Sequence, residues 1–141
     1  MNIYLDVNGV LLTKQDKPAK HVIKFLKYIT DRHDVYWLTT HCQGDTEHLL
    51  DYLSDRLSEE AMQYAKLIKP TTWDTWKTEG IDFSKDFRWL DDNVFTEELQ
   101  ELKKNDCEDK LINIDLVKNP NQLLDIVNEK CIKNFTRNIV R

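Results

Sequence analysis

The sequence predicts an α/β fold: a parallel sheet with helices on both faces, formed as a single domain over residues 1–141. Three observations carry this. Short apolar runs recur at residues 3–5, 35–38, 87–90 and 111–114, each the length of a buried strand. Amphipathic stretches of helical period separate them. The runs end in polar residues, Asp6, Thr39 and the pair Asp91-Asp92. Buried strands alternating with helices imply parallel pairing by crossover connections.

Taken in order, Ile3, Tyr4 and Leu5 form the first strand. Pro18 suits a first helical position, and Val22, Phe25, Leu26 and Ile29 fall on one helical face. Val35 to Leu38 is the second strand. A helix follows with Leu49, Leu50 and Leu53 on one side. Ser58 is placed to cap another, with Glu59 and Glu60 in its first turn. The stretch 72–78 reads as helical, ending at Gly80. Phe87 to Leu90 is the third strand, and Thr96 is expected to cap a helix running through Leu102. Leu111 to Ile114 is the fourth strand. Pro120 is expected to open the last helix, with Leu123, Leu124, Val127 and Cys131 inward. No repeat, low-complexity tract or linker interrupts this Rossmann-like pattern.

Bulk properties narrow the function classes. Net charge is −5 and no long basic run occurs, so generic nucleic-acid binding through displaced counterions is not expected. The three cysteines, Cys42, Cys107 and Cys131, are scattered, with no CxxC. A disulfide framework or zinc site is therefore not expected, and reduced thiols fit a cytoplasmic location. The first strand is expected to begin at Asn2, so a signal peptide is not expected. No apolar stretch approaches the roughly 20 residues of a membrane span.

In open parallel sheets, ligands bind beyond the carboxyl ends of the strands, so the strand-end residues Asp6, Thr39 and Asp91-Asp92 converge on one edge. In Asp6-Val7-Asn8-Gly9-Val10-Leu11, a strand-end Asp is followed three positions later by a glycine. Glycine permits a tight loop and close backbone approach to a ligand. A plain strand-end turn accounts for these two residues alone equally well.

With the other strand ends added, the chain resembles the haloacid dehalogenase (HAD) superfamily over nearly its whole length. Asp6 to Leu11 resembles that family's first motif. Tyr36-Trp37-Leu38-Thr39-Thr40 resembles the second, and Trp89-Leu90-Asp91-Asp92 the fourth. Lys77 suits the lysine of the third motif, with Lys69 as the second choice. The resemblance implies a magnesium-dependent phosphohydrolase in which Asp6 attacks phosphorus and forms an aspartyl-phosphate. It implies Mg²⁺ held by Asp6, the Asn8 backbone carbonyl and Asp91 or Asp92. It further implies Thr39 on the phosphoryl oxygens and Lys77 screening the developing charge. The substrate is then a phosphorylated molecule of unread size.

One departure matters. The family's second aspartate, which protonates the leaving group and activates water, is Asn8 here. An amide does neither, and such a group is typically worth roughly 10²–10⁴-fold. Three explanations stand open: a slow hydrolase of esters with good leaving groups, a non-catalytic phosphate-binding module, or a substitution introduced to trap a complex. A response-regulator receiver uses similar residues, but with the acidic pair early in the chain rather than late. The segments between motifs leave no room for a cap domain, so an open site in a monomer or weak dimer is expected. His41 and Cys42 form a conceivable nucleophilic pair, but a loop role is the simpler reading. Trp73, Trp76 and Trp89 read as core or half-buried residues, with Trp73 and Trp76 alternatively in a substrate pocket. The run Lys103-Lys104-Asn105-Asp106 reads as a solvated helix end.

Overall fold

Asn2–Leu5 (β1) is a strand whose four residues are all buried, and it takes a neighbour on each side. In a computed structural model describing residues 1–129, β1 pairs in parallel with Asp34–Trp37 (β2) and with Phe87–Asp91 (β3). Leu111–Asn113 (β4) pairs in parallel with β3. The order is β2-β1-β3-β4. The chain moves one way from β1 to β2, then crosses back over β1 to reach β3. That reversal, at the β1/β3 seam, is where sheets of this kind leave a crevice for ligands.

Side-chain alternation along the strands explains the two layers. Ile3 and Leu5 enter one core, with Phe25, Leu26 and Ile29 of the helix Val22–Arg32 (α1). Residues of Glu47–Ser54 (α2), Glu59–Ala65 (α3) and Gln122–Asn128 (α5) complete this layer. Tyr4, Phe87 and Trp89 enter the opposite core with Leu102 of Thr96–Lys104 (α4). The sheet is thus covered on both faces, as the alternating pattern predicts. The connection from β1 to β2 holds a loop and α1; that from β2 to β3 holds α2, α3 and a 3-10 turn at Lys77–Gly80. No helix among the described residues is long and apolar enough to cross a membrane.

Several expected boundaries move. Pro18 does not open α1. It bridges Leu12, while the Ala19 N–H donates to the Leu11 carbonyl and Thr13 N–H to that of Lys17. A proline suits this place because its flanking residues supply the bonds, and α1 starts only at Val22. Residues 72–76 are not helical. Side chains take their backbone donors instead: Trp73 N–H donates to Gln43 Oε1, and those of Asp74 and Trp76 to the Glu79 carboxylate. Only the turn ending at Gly80 survives. Thr96 is the first residue of α4 rather than its cap, because Glu98 reaches back to the Phe95 N–H at 3.0 Å. Pro120 precedes α5 by a turn, and the helix begins at Gln122. Ser58 does cap α3, accepting from Ala61 N–H at 3.1 Å. Cys131, expected on the inner face of the last helix, lies outside the described residues.

Phe25 is fully buried between α1 and the sheet. Phe25→Ala is expected to lower stability by about 3–5 kcal/mol, the usual loss for a buried aromatic, measured by urea unfolding.

Candidate functional site

The β1/β3 register fixes the site. Leu5 and Leu90 lie opposite one another, and the Asp6 N–H donates to the Leu90 carbonyl at 3.0 Å. The next residues on the two strands, Asp6 and Asp91, are therefore held side by side, with Asp92 following. Carboxylate oxygens from Asp6, Asp91 and Asp92 all lie within 4.8 Å of one another. Asp6 and Asp91 are buried and Asp92 is half-buried. Gly9 closes the loop beneath them at φ +83°, and a Cβ there would fall inside the Asp92 carboxylate. The glycine is thus required twice, by conformation and by space.

Lys77 crosses this cluster. Its Nζ is 2.7 Å from Asp91 Oδ2 and 3.5 Å from Asp6 Oδ1, with both ends of each pair largely shielded. The Trp89 indole N–H donates to the same Asp91 oxygen at 3.2 Å, and the Asn93 N–H to the other at 3.0 Å. Lys77 is itself tied down, because its backbone N–H donates to Glu98 Oε2 at 2.7 Å. Glu98 is buried on α4 and bonds two loop N–H groups, those of Lys77 and Phe95.

Charge is short of balance here. Burial disfavours the Lys77 cation, but Asp91 and Asp6 outweigh it and hold the ammonium charged. Burial, then the Asp6 charge, push Asp91 up to about 8, against the pull of Lys77. The same two causes raise Asp92. Without a cation, burial and mutual repulsion hold protons on this cluster; fully ionised, its three carboxylates less one lysine leave the charge that one divalent cation neutralises. The donors are hard oxygens, the type that Mg²⁺ or Ca²⁺ prefers.

Asn8 sits in a second network. Its Oδ1 lies 2.7 Å from His41 Nε2, and its Nδ2 donates to the Tyr52 hydroxyl at 3.2 Å. Tyr52 stacks on His41, with ring centroids 4.4 Å apart, and donates to Asp16 Oδ1 at 3.1 Å. Arg56 Nε bonds Asp16 Oδ2 at 2.7 Å and its guanidinium lies over the Tyr52 ring. The Arg56 hydrogen bond holds Asp16 below the usual carboxylate range.

The other candidates sort clearly. Thr39 is fully buried just beyond β2, its hydroxyl accepting from the His41 N–H at 3.3 Å. Lys69, the second choice to Lys77, lies toward the opposite end of β2, 3.4 Å from Asp34. His41 and Cys42 do not pair, because the Cys42 thiol is buried on the Asp45 carbonyl and pushed up by that burial. Trp89 is core and also serves Asp91; Trp73 and Trp76 are half-buried. Residues Lys103 to Asp106 are exposed at the end of α4.

Sequence reasoning missed Glu98, Tyr52, Asp16 and Arg56. Glu98 left one signal: a glutamate three residues after a helix cap reaches back to it. The others act through tertiary contacts that no local spacing marks. Comparison with known proteins finds no matching family model, no matching curated protein and no matching solved structure.

Because folding raises the Asp91 pKa above its ordinary value, protonation favours the folded state. That contribution is full below the ordinary carboxylate range and is lost as pH rises through about 8. The metal-free chain is therefore expected to melt higher at pH 5 than at pH 8, and Asp91→Asn to shrink that difference. An unchanged pH slope of Tm in Asp91→Asn would contradict the charge assignment.

Proposed function

We propose that the chain is a magnesium-dependent phosphohydrolase-like protein of the HAD type, with the phosphoryl group carried on Asp6 and turnover weakened by Asn8. One observation carries this reading: three carboxylates crossed by a buried lysine at the strand-order reversal of a parallel sheet. The HAD resemblance, which rests on the same strand-end residues together with Thr39 and Gly9, agrees with it.

In this reading Asp6, the Asn8 backbone carbonyl and Asp91 or Asp92 would hold Mg²⁺. The ion's contribution would be to offset the repulsion between carboxylates and phosphate. Asp91 is already engaged by Lys77, Trp89 and Asn93, which favours Asp92 as the more open partner of Asp6. Lys77 keeps its ammonium beside Asp6 and draws charge from the incoming phosphate. Thr39 offers its hydroxyl to a phosphoryl oxygen.

An Asp6 oxygen bonds phosphorus as the ester P–O bond breaks, and the electron pair leaves on the ester oxygen. That oxygen takes its proton from water, because the Asn8 amide has none to give. A second water then attacks phosphorus, releasing inorganic phosphate and the Asp6 carboxylate. No carboxylate stands at position 8 to activate that water, so the aspartyl-phosphate persists.

The second reading, a phosphate-binding module, is favoured by the way Asn8 is held. Both ends of its amide are engaged, by His41 and by Tyr52. An aspartate would remove the Nδ2 donor and require Tyr52 to turn its hydroxyl away from Asp16. Acetyl phosphate and p-nitrophenyl phosphate with Mg²⁺ separate the two: an enzyme turns them over, a module only binds.

Calorimetric titration of Mg²⁺ is expected to show affinity lost in Asp92→Ala and Asp91→Ala; unchanged affinity in both would remove the metal assignment. Asn8→Asp is expected to raise phosphatase kcat by roughly 10²–10⁴-fold, the worth of a positioned acid–base group, with Mg²⁺ affinity held within a few-fold. No gain on any phosphate ester would favour the binding module.

A further inference from the structure

A cavity of about 450 Å³ opens beside the acidic cluster. It shares Gly9 and Asp92 with that cluster, so only the loop backbone and one carboxylate separate them. One wall is the turn at Thr13, Lys14 and Gln15 that follows the Asp6 loop. The other is the segment leaving β4, where Asn113, Leu116, Val117 and Pro120 line the groove. The size falls within the range of small-molecule sites, roughly 300–1,000 Å³.

The lining is chemically mixed. Val117 is 70% exposed, an apolar side chain held in water on the rim. Leu116 and Pro120 extend that surface. Asn113 and Gln15 add amides that both donate and accept, and Lys14 adds a cation opposed by the carboxylates of Asp115 and Asp92. Hydrogen bonds brace the wall: Gln122 receives the Asp115 N–H at 2.7 Å and donates to the Asn113 carbonyl at 2.9 Å. The groove is therefore built on a tethered turn.

Resting on the phosphohydrolase reading above, we propose that this groove seats the leaving group of the phosphate ester. The substrate class is then a small organic phosphomonoester, not a phosphoserine protein. Its body is a ring that packs on Leu116, Val117 and Pro120. Hydrogen-bonding edges on that ring meet Asn113 and Gln15, as a sugar or heterocycle provides. A phosphoserine or phosphothreonine side chain would leave this recess unfilled, because its stem is only one or two carbons beyond the backbone.

The test is calorimetric titration at saturating Mg²⁺ with three probes: inorganic phosphate, adenosine 5′-monophosphate and a phosphoserine heptapeptide. The full chain is compared with Val117→Trp and Gln15→Trp, two exposed positions at which a larger side chain fills the groove without entering the core. The nucleotide is expected to bind at least about tenfold tighter than inorganic phosphate, the worth of one modest buried contact. Both variants are expected to erase that margin while leaving inorganic phosphate within about twofold. Nucleotide affinity unchanged in both variants, or the peptide binding tighter than the nucleotide, overturns the groove assignment alone. No binding by any probe overturns the phosphate-site reading beneath it.

Discussion

The constraint on which the site depends is the parallel register between β1 and β3. It places two carboxylates side by side at the end of adjacent, fully buried strands. Like charges brought that close in low dielectric repel strongly. Much of the local structure is an answer to this. Lys77 lies across the pair, Trp89 and Asn93 bond Asp91, and Glu98 fixes the backbone from which Lys77 reaches in. The irregular segment before Lys77 belongs to the same answer. A helix through Trp76 would use the backbone donors that Gln43 and Glu79 now hold, and would set Lys77 differently.

The sheet was legible because its strands are short, apolar and bounded by polar residues. A strand buried on both faces needs an unbroken apolar run, so Ile3 to Leu5 and Phe87 to Leu90 identified themselves. Strand-end acids were legible for the same reason, since a charged residue directly after such a run must lie at the sheet edge. Helix starts were less so. Pro18 and Pro120 fit a first turn by their fixed φ, but that same φ fits the bridge and turn they occupy. The residues at 72–76 have helical spacing and lose to capture of their N–H groups by side chains distant in sequence. The network around Asn8 was not readable at all, because it joins a loop, a strand end and α2 through side chains alone.

That network gives Asn8 a structural occupation beside its chemical one. The amide is oriented by an imidazole and a phenol, and the phenol is held by an aspartate that a guanidinium holds in turn. A chain of this kind resists rotation at each link. It ties the Asp6 loop, and the turn at Asp16 that continues the groove wall, to α2.

The same register has a consequence for how the protein comes into being. β1 is made first, and its partner β3 arrives only after α1, β2, α2 and α3. Until then one edge of β1 is unpaired, and Asp6 lacks its neighbours and its lysine. Pairing across so long a stretch of chain must close a large loop before any contact rewards it, which slows folding. The acidic cluster therefore forms only where β3 has paired with β1. Its electrostatic repulsion enters with that pairing, which brings Asp91 beside Asp6 and within reach of Lys77.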